Sequence, residues 1–197
     1  METLSPLNLS ESTTTIIRER RSIYPPTYTD QIVENHIIEE MLENANYAPT
    51  HRLTEPWRFK VIAGDKREGL GELLGTYYRS VTTAETFKES KHQRLLEKAR
   101  RSSHIIAICM QRDEAERVPE WEEVAAVAMA VQNMWLTATA HNVGAYWSSP
   151  GVINSEACHH FLHLKASERC LGFLFLGYHN MPKAAPKRTP MASKVEW

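Results

Sequence analysis

The chain has 197 residues, and we expect residues 1–197 to form one domain of ordinary size. Its 23 lysines and arginines nearly balance 24 aspartates and glutamates, which argues against a nucleic-acid partner, because such binders usually concentrate positive charge on one face. The three cysteines form no C-x-x-C pair, and the N-terminus lacks the basic flank and apolar stretch of a secretory signal. Both observations predict a cytoplasmic protein.

The first predicted elements are two helices. The apolar pair Ile16-Ile17 belongs to a short helical pattern that we expect Pro25-Pro26 to end, which places Arg20-Arg21-Ser22 where a helix enters a loop. Apolar residues over 33–48 recur at helical spacing up to a proline. This second helix therefore leads into a loop that carries His51.

Further along, apolar runs predict strands and amphipathic patterns predict helices. Strands are expected at residues 59–62, 105–110, 145–147 and 171–178, and helices at 70–78, 122–141 and 155–164. Glutamates interrupt the basic run over 88–101, which favours a solvated helix face. Residues 182–190 are rich in proline and lysine and predict an extended arm over a surface.

The helix expected over residues 122–141 is apolar almost all round, as is typical of a helix buried in a core. Gln132 and Asn133 interrupt its apolar stretch, which falls well short of the roughly 18 residues that a bilayer requires, so no membrane span is expected. The alternation of helices with buried strands predicts a layered α/β or α+β fold.

Two patches indicate a binding site. Arg20-Arg21-Ser22 offers guanidinium groups and a hydroxyl, donors suited to a phosphate or a polyol, and the loop over 48–59 carries polar groups beside the ring of Trp57. Together they suggest a phosphorylated planar cofactor. Against this, an arginine pair at a helix end is more often solvated, and Trp57 and Trp147 could equally be core aromatics.

Other chemistries have little support. His159 and His163 stand four apart in a predicted helix, but the glutamate of a zinc-protease motif is missing, so structural or surface histidines are favoured and no metal site is predicted. The chain has no nucleophile elbow and no cysteine in a recognisable protease context, so hydrolytic catalysis is not expected.

Five short blocks follow one another along nearly the whole chain. They are Arg20-Arg21-Ser22, the loop from Ala48-Pro49 to Pro56-Trp57-Arg58-Phe59, Gly144-Ala145-Tyr146-Trp147, Leu171-Gly172-Phe173-Leu174-Phe175-Leu176-Gly177-Tyr178, and Lys187-Arg188-Thr189-Pro190. In order and spacing these blocks resemble the FMN-dependent nitroreductase family, in particular its small single-domain members of the YdjA-like type.

The resemblance implies an α+β fold: a nitroreductase-like three-layer α/β/α sandwich with a mixed, largely antiparallel central sheet and an extended C-terminal arm. It also implies a homodimer in which the arm embraces the partner and an FMN lies at each end of the subunit interface. Each site would then draw on both chains.

The resemblance also assigns residues to the FMN site by position. The phosphate and ribityl chain would be bound by Arg20, Arg21, Ser22, Arg188 and Lys187. His51 and Glu55 would reach the flavin from the other subunit. A segment beside the isoalloxazine ring would comprise Trp147, Ser148 and Ser149.

Two departures from the family pattern matter. Glu55 stands where close relatives tend to carry an amide, and its carboxylate would lower the flavin potential or contact a substrate instead. Ser148 and Pro150 stand where the relatives carry an arginine followed by serine and glycine. A polar contact to the flavin from the side chain at position 148 is therefore in doubt.

The implied activity is transfer of a hydride from NADH or NADPH, through bound flavin, to a small planar acceptor such as a nitroaromatic or a quinone, with ping-pong kinetics. Solvent or His51 would supply protons. Two alternatives stay open: a flavin-binding carrier or sensor with little turnover, and a cofactor-free helical interaction module. The sequence does not separate NADH from NADPH as the donor.

Overall fold

A computed structural model describes residues 8–182 and 187–197. The helices are α1 (Leu9–Glu19), α2 (Asn35–Asn46), α3 (Lys66–Ser80), α4 (Glu89–Arg100), α5 (Glu120–Ala140) and α6 (Glu156–Phe161). The strands are β1 (Trp57–Ile62), β2 (His104–Gln111), β3 (Val143–Ser148) and β4 (Glu168–Tyr178). Every strand and helix predicted from apolar patterns is therefore present, with bounds that differ by a few residues.

The strands form one sheet in the order β1-β2-β4-β3, and each neighbouring pair is antiparallel. A parallel element is added outside β3, where Ser22 forms an isolated bridge with Ala145. The expectation of a mixed, largely antiparallel sheet is thus confirmed, and the bridge ties the segment after α1 to the edge of the sheet.

Helices cover both faces of this sheet because its central strands are apolar on both sides. In β2, Ile106, Ile108 and Met110 pack with residues of α2 and α5. Their neighbours Ile105, Ala107 and Cys109 pack with residues of α3, α4 and α6. Successive side chains of a strand point to opposite faces, so one apolar run serves two cores and produces the predicted three layers.

The end of α1 differs from the prediction. The helix ends at Glu19, and the N–H of Arg20 donates to the Ile16 carbonyl at 3.0 Å. Pro25 instead begins a 3-10 turn, Pro25–Thr27. Residues 22 and 23 must be extended to pair with β3, where the Ile23 N–H donates to the Ala145 carbonyl at 3.0 Å, and this pairing stops the helix before the prolines are reached.

Helix α5 is buried on one side only. The expectation that a core encloses this helix is therefore wrong for the side that faces away from the sheet. Trp121 and Met129 are 69% and 40% exposed, although both are apolar and belong to an otherwise buried helix. Within the described residues, no helix has both the length and the apolarity needed to cross a bilayer.

The predicted C-terminal arm falls partly on residues 183–186, which lie outside the described residues. Residues 187–197 are all exposed and contain a 3-10 turn, Met191–Ser193. The indole of Trp197 at the end of the chain is also exposed. This segment therefore presents apolar side chains away from the core of its own chain.

Candidate functional site

A cluster of cations lies at the C-terminal end of α1. The guanidinium carbon of Arg20 is 4.7 Å from the ring centre of Trp135 on α5. Burial lowers the pKa of Arg20, and the nearby charges of Arg188 and Arg21 lower it further. The structure therefore brings together basic side chains from near the two ends of the chain, as the sequence blocks suggested.

Arg20 and Arg188 lack an acidic partner among the described residues. Across residues 8–182 and 187–197, neither forms an ion pair with a carboxylate. Like charges brought close together repel each other unless an anion joins them. Two guanidinium groups are suited to grip a phosphate by paired, charge-assisted hydrogen bonds.

The other two basic residues assigned to this cluster differ from Arg20. The Nη1 of Arg21 donates to the carbonyl oxygens of Arg18 and, at 2.8 Å, Arg20, so this side chain caps the end of α1. The carbonyl of Lys187 accepts from Nη1 of Arg188 at 2.8 Å, which orients the Arg188 guanidinium. The side chain of Lys187 is exposed.

The outer edge of β3 connects the cation cluster to the segment over 147–149. Ser22 bridges Ala145, and alternate residues of a strand direct their N–H and C=O to the same edge, so the backbone of Trp147 faces the same way as that of Ala145. Trp147 lies two residues, about 7 Å, farther along. The outward-facing backbone of β3 at Trp147 and the Ser22 segment therefore lie along one edge of the sheet.

Trp147 itself is held by an unusual backbone position in β4. Gly172 has a φ of +146°, and a Cβ at this position would lie 2.3 Å from the Trp147 Nε1. The pairing of β2 with β4 shifts register beside it, and Ser149 Oγ donates to the Leu171 carbonyl at 2.9 Å. The bulge and the glycine together admit the indole, which no local sequence pattern indicated.

The indole N–H of Trp147 is buried and has no hydrogen-bond partner among the described residues. A buried donor left unpaired is costly, and each such group in a native structure calls for an explanation. An acceptor atom of a bound ligand would provide one.

A cleft of about 390 Å³ lies between α4 and the 3-10 turn Pro25–Thr27. It is lined by Tyr24, Pro25, Pro26, Lys91, Arg94, Leu95, Lys98 and Tyr146. The ring centre of Tyr24 is 4.6 Å from that of Tyr146, so the cleft has an aromatic wall. Tyr146 packs on the α3/α4 face of the sheet, whereas Trp147 and Trp135, the partner of Arg20, pack on the α2/α5 face, so the cleft and the cation cluster lie on different faces.

Lys98 is the cation of this cleft that the sequence analysis missed. Its Nζ lies 4.1 Å from the ring centre of Phe175 and 5.1 Å from that of Tyr146. Burial lowers its pKa to about 8, and no described carboxylate pairs with it. A signal was available: Lys98 follows Leu95 by three residues and precedes the buried Ala99, so it lies on the inward side of α4 and not on a fully solvated face.

His51 and Glu55 lie in a second place, on a strained loop. Arg52, Leu53 and Glu55 have φ values of 53°, 53° and 41°, a backbone region that costs free energy for residues other than glycine. The Nδ1 of His51 is 2.6 Å from Oε2 of Glu122, the first-turn glutamate that holds the loop to α5. Glu122 was not identified from the sequence, since 71 residues separate the pair.

The side chain of Glu55 is exposed, and the contacts of this residue are made by its backbone. Its N–H donates to Oγ1 of Thr50 at 3.1 Å, and its carbonyl accepts from Nη1 of Arg58 at 2.9 Å. Beside this loop, a groove of about 370 Å³ includes the exposed side chains of Trp121 and Met129. The carboxylate therefore projects from a fixed backbone next to an apolar surface.

One chain does not bring the predicted site residues into a single place. His51 contacts α5 at Glu122, whereas Arg20 contacts it at Trp135, 13 residues later. Thirteen residues of α-helix span about 20 Å. Arg20, Ser22, Arg188 and Trp147 thus belong to one end of α5, and His51 and Glu55 to the other.

Comparisons with known proteins agree with this architecture. The model of the Nitroreductase family matches residues 17–178. "Putative NAD(P)H nitroreductase YfhC" of Bacillus subtilis (strain 168) is 31% identical over 180 residues, which cover 91% of this chain and 90% of that protein. "Putative NAD(P)H nitroreductase YdjA" of Escherichia coli (strain K12) is 26% identical over 144 residues, 71% of this chain and 74% of that protein.

Solved structures give the same result. The nitroreductase-like family protein from Bacillus cereus superimposes with a TM-score of 0.79 at 28% identity, covering 100% of this chain and 98% of that one. A Desulfovibrio desulfuricans protein described as a putative nitroreductase in complex with FMN gives a TM-score of 0.71 at 26% identity, with 98% and 96% of the two chains covered.

Proposed function

Because this chain belongs to the nitroreductase family of oxidoreductases, we propose that it binds FMN and transfers a hydride from NADH or NADPH to a small planar acceptor such as a nitroaromatic or a quinone. The observation that carries the proposal is the pair Arg20 and Arg188, which come together from near the two ends of the chain and have no carboxylate partner among the described residues. The FMN complex of the Desulfovibrio desulfuricans neighbour supports the choice of cofactor.

The residues present fit this cofactor. Arg20, Arg188 and the Ser22 hydroxyl would hold the phosphate and ribityl chain, with Arg21 and Lys187 placing the two guanidinium groups from behind. The unpaired indole N–H of Trp147 would find an acceptor on the cofactor, and the backbone after Trp147 would place Ser148 and Ser149 beside the ring.

When bound, the flavin supplies a ring that accepts a hydride and passes it on. The chain would then act mainly through charge and shape. The guanidinium groups of Arg20 and Arg188 would hold the anionic end of the cofactor, and the edge of β3 would place the ring. Donor and acceptor would use the same site in turn, which predicts ping-pong kinetics.

We propose a homodimer, and the placement of the second group supports it. If His51 and Glu55 act at the flavin, the 20 Å that separates them from Arg20 along α5 requires them to come from another copy of the chain. The exposed apolar side chains of Trp121 and Met129 provide a surface for that copy. Two antiparallel copies of α5 would bring the loop of one protomer to the Arg20 end of α5 in its partner.

In that arrangement, Glu122 would fix the imidazole of His51. A carboxylate that accepts from Nδ1 leaves Nε2 to face the partner's flavin, so His51 is the side chain that we propose as proton donor, with solvent as the alternative. The exposed Glu55 carboxylate would then reach either the flavin or its acceptor.

We further propose a single domain and a cytoplasmic location. The three cysteines are free and buried, which suits a compartment that keeps thiols reduced.

The experiment that tests the proposal is an absorbance spectrum of the purified protein, followed by anaerobic mixing with NADH and with NADPH and then by an acceptor screen. A yellow protein that either dinucleotide bleaches, and that an acceptor reoxidises, supports the oxidoreductase. A yellow protein that bleaches slowly or not at all favours the carrier or sensor, and a protein that stays colourless after addition of FMN contradicts both.

A further inference from the structure

The cleft between α4 and the turn Pro25–Thr27 has a lysine at its floor. The Nζ of Lys98 lies 4.1 Å from the ring centre of Phe175 on β4 and 5.1 Å from that of Tyr146 on β3. Across residues 8–182 and 187–197, Lys98 forms no ion pair with a carboxylate. Its amine is therefore held by two aromatic rings and not by an acid.

Other cations of α4 have different surroundings. Arg100 points to a carboxylate and lies 3.7 Å from Glu68. Lys91 lines the same cleft as Lys98, but its side chain is exposed and its Nζ lies 4.5 Å from the ring centre of Tyr78. Lys98 is half-buried. The two lysines of the cleft thus share one helix and differ in burial, which makes Lys91 an internal reference for Lys98.

The walls beside Lys98 are apolar and aromatic. The ring centres of Tyr24 and Tyr146 are 4.6 Å apart, and their planes meet at 45°. Pro25, Pro26 and Leu95 also line the cleft. Its volume of about 390 Å³ is within the range of small-molecule sites. A planar aromatic molecule in this space would pack against rings and meet a primary amine.

Burial makes this amine less basic than that of an exposed lysine. It lowers the pKa of Lys98 to about 8, from the ordinary value of 10.5. At pH 7 roughly a tenth of Lys98 is then the neutral amine, roughly 300 times the fraction of an ordinary lysine. A less basic nucleophile is also intrinsically weaker, which, by the dependence measured for thiols, offsets about tenfold of this gain. The remaining advantage favours reaction at Lys98, as for other lysines desolvated in apolar pockets.

We propose that Lys98 forms an imine with a planar aromatic aldehyde that binds in this cleft. The Nζ lone pair adds to the carbonyl carbon, a proton passes from nitrogen to the carbonyl oxygen, and loss of water leaves a C=N bond, so no oxidant or reductant is consumed. The aldehyde ring would pack on Tyr24 and Tyr146. The cleft lies on the α3/α4 face of the sheet, so this site is separate from the proposed flavin site.

The test is labelling of the FMN-loaded protein at pH 7 with pyridoxal, a planar aromatic aldehyde without a phosphate group. Sodium cyanoborohydride delivers a hydride to the imine carbon and fixes the adduct as a secondary amine, which peptide mass spectrometry locates. We expect initial labelling of Lys98 to exceed that of Lys91 by about tenfold or more, at a rate that saturates with pyridoxal concentration. Equal labelling of the two lysines, or a rate that rises linearly, overturns the inference.

Two arginine variants provide matched controls. Lys98→Arg keeps the positive charge but removes the amine, so the saturable part of the labelling should disappear. Lys91→Arg makes the same change at the exposed position of the same helix, and labelling of Lys98 should stay as in wild type. Saturable labelling that persists in Lys98→Arg contradicts the assignment.

Protection by a carbonyl-free aromatic compound gives a readout that needs no variant. Benzyl alcohol can occupy the cleft but cannot form an imine, so it should slow the labelling of Lys98 and not that of Lys66, an exposed lysine at the start of α3. Absence of protection shows that the aldehyde reacts without binding in the cleft and overturns the inference. If the protein binds no flavin, the proposed oxidoreductase fails, and the same labelling still decides the reactivity of Lys98.

Discussion

The guanidinium of Arg20 lies over the indole of Trp135, 4.7 Å from its ring centre, while the N–H of the same indole donates to the Arg21 carbonyl at 3.0 Å. The indole of Trp135 thus positions both the guanidinium of Arg20 and the backbone of Arg21. Cation–π contacts of this kind contribute about 0.5–2 kcal/mol, which is enough to hold Arg20 in place beside Arg188.

Replacing Arg20 should weaken FMN binding with little effect on the fold. We expect Arg20→Gln to raise the Kd for FMN roughly 10- to 100-fold, because charge-assisted hydrogen bonds to a phosphate are worth about 1.5–3 kcal/mol. Quenching of flavin fluorescence measures the Kd. Arg18→Gln is the control, an exposed arginine less than one turn earlier in α1. Equal affinities of the two variants would contradict the assignment.

Glu55 should lower the flavin midpoint potential if its carboxylate reaches the ring. Loss of this negative charge in Glu55→Gln should raise the midpoint by more than about 30 mV, since roughly 30 mV is a tenfold change for a two-electron couple. Anaerobic redox titration measures the shift.

Glu39→Gln, at an exposed position of α2, serves as the control for the acidic substitution. A midpoint unchanged by Glu55→Gln would leave contact with the acceptor as the remaining role of Glu55.

The stability of the cofactor-free protein should depend on pH through Lys98. Burial lowers the pKa of its ammonium group to about 8, below the value of 10.5 expected in the unfolded chain. Below pH 8 both states are protonated and the fold carries the full desolvation cost, of order 1–3 kcal/mol. Between pH 8 and about 10.5 the unfolded state binds more protons, so this cost is progressively lost as pH rises.

Lys98→Met should therefore be more stable than wild type at pH 7, and the difference in the free energy of unfolding should shrink between pH 8 and 10. Urea denaturation at pH 7, 8.5 and 10 measures this difference. A difference that is constant over this range would show that Lys98 does not titrate there.

A charge on the exposed face of α5 should prevent dimer formation. Met129 is 40% exposed in one chain, and Met129→Asp would bury a carboxylate if a second copy covers it. We expect a monomer by size-exclusion chromatography with light scattering, together with a loss of FMN. Val81→Asp, which changes an exposed valine at the end of α3, should leave the assembly intact. A dimer that survives Met129→Asp would place the interface elsewhere.

Two glycines with positive φ should respond differently to alanine. At Gly172 a Cβ would lie 2.3 Å from Trp147 Nε1 and 2.8 Å from the Ser148 carbonyl, so Gly172→Ala should destabilise the protein by about 2–4 kcal/mol. At Gly64 nothing lies within 4 Å of the added atom, and only the backbone cost of about 1 kcal/mol remains. Thermal unfolding compares them, and equal losses would argue against the crowding at Trp147.

Local patterns in the chain were sufficient to predict its layers. The run over 105–110 is apolar at every position because β2 is covered on both faces, and the spacing over 33–48 marks the one face that α2 buries. The resemblance carried by short blocks then led to the family and to the cations at both ends. These features depend on residues close in the chain, or on their order along it.

The folded structure decided which distant residues meet. The sequence alone did not place Lys98 over Phe175, His51 on Glu122, or the indole of Trp147 against Gly172, since each of these pairs joins different elements. The sequence also predicted that α5 is buried on all sides. An apolar helix face indicates that something covers that face, but it does not say whether the same chain or another molecule does so. Periodicity determines how an element is buried, whereas the order and register of the sheet determine what it is buried against.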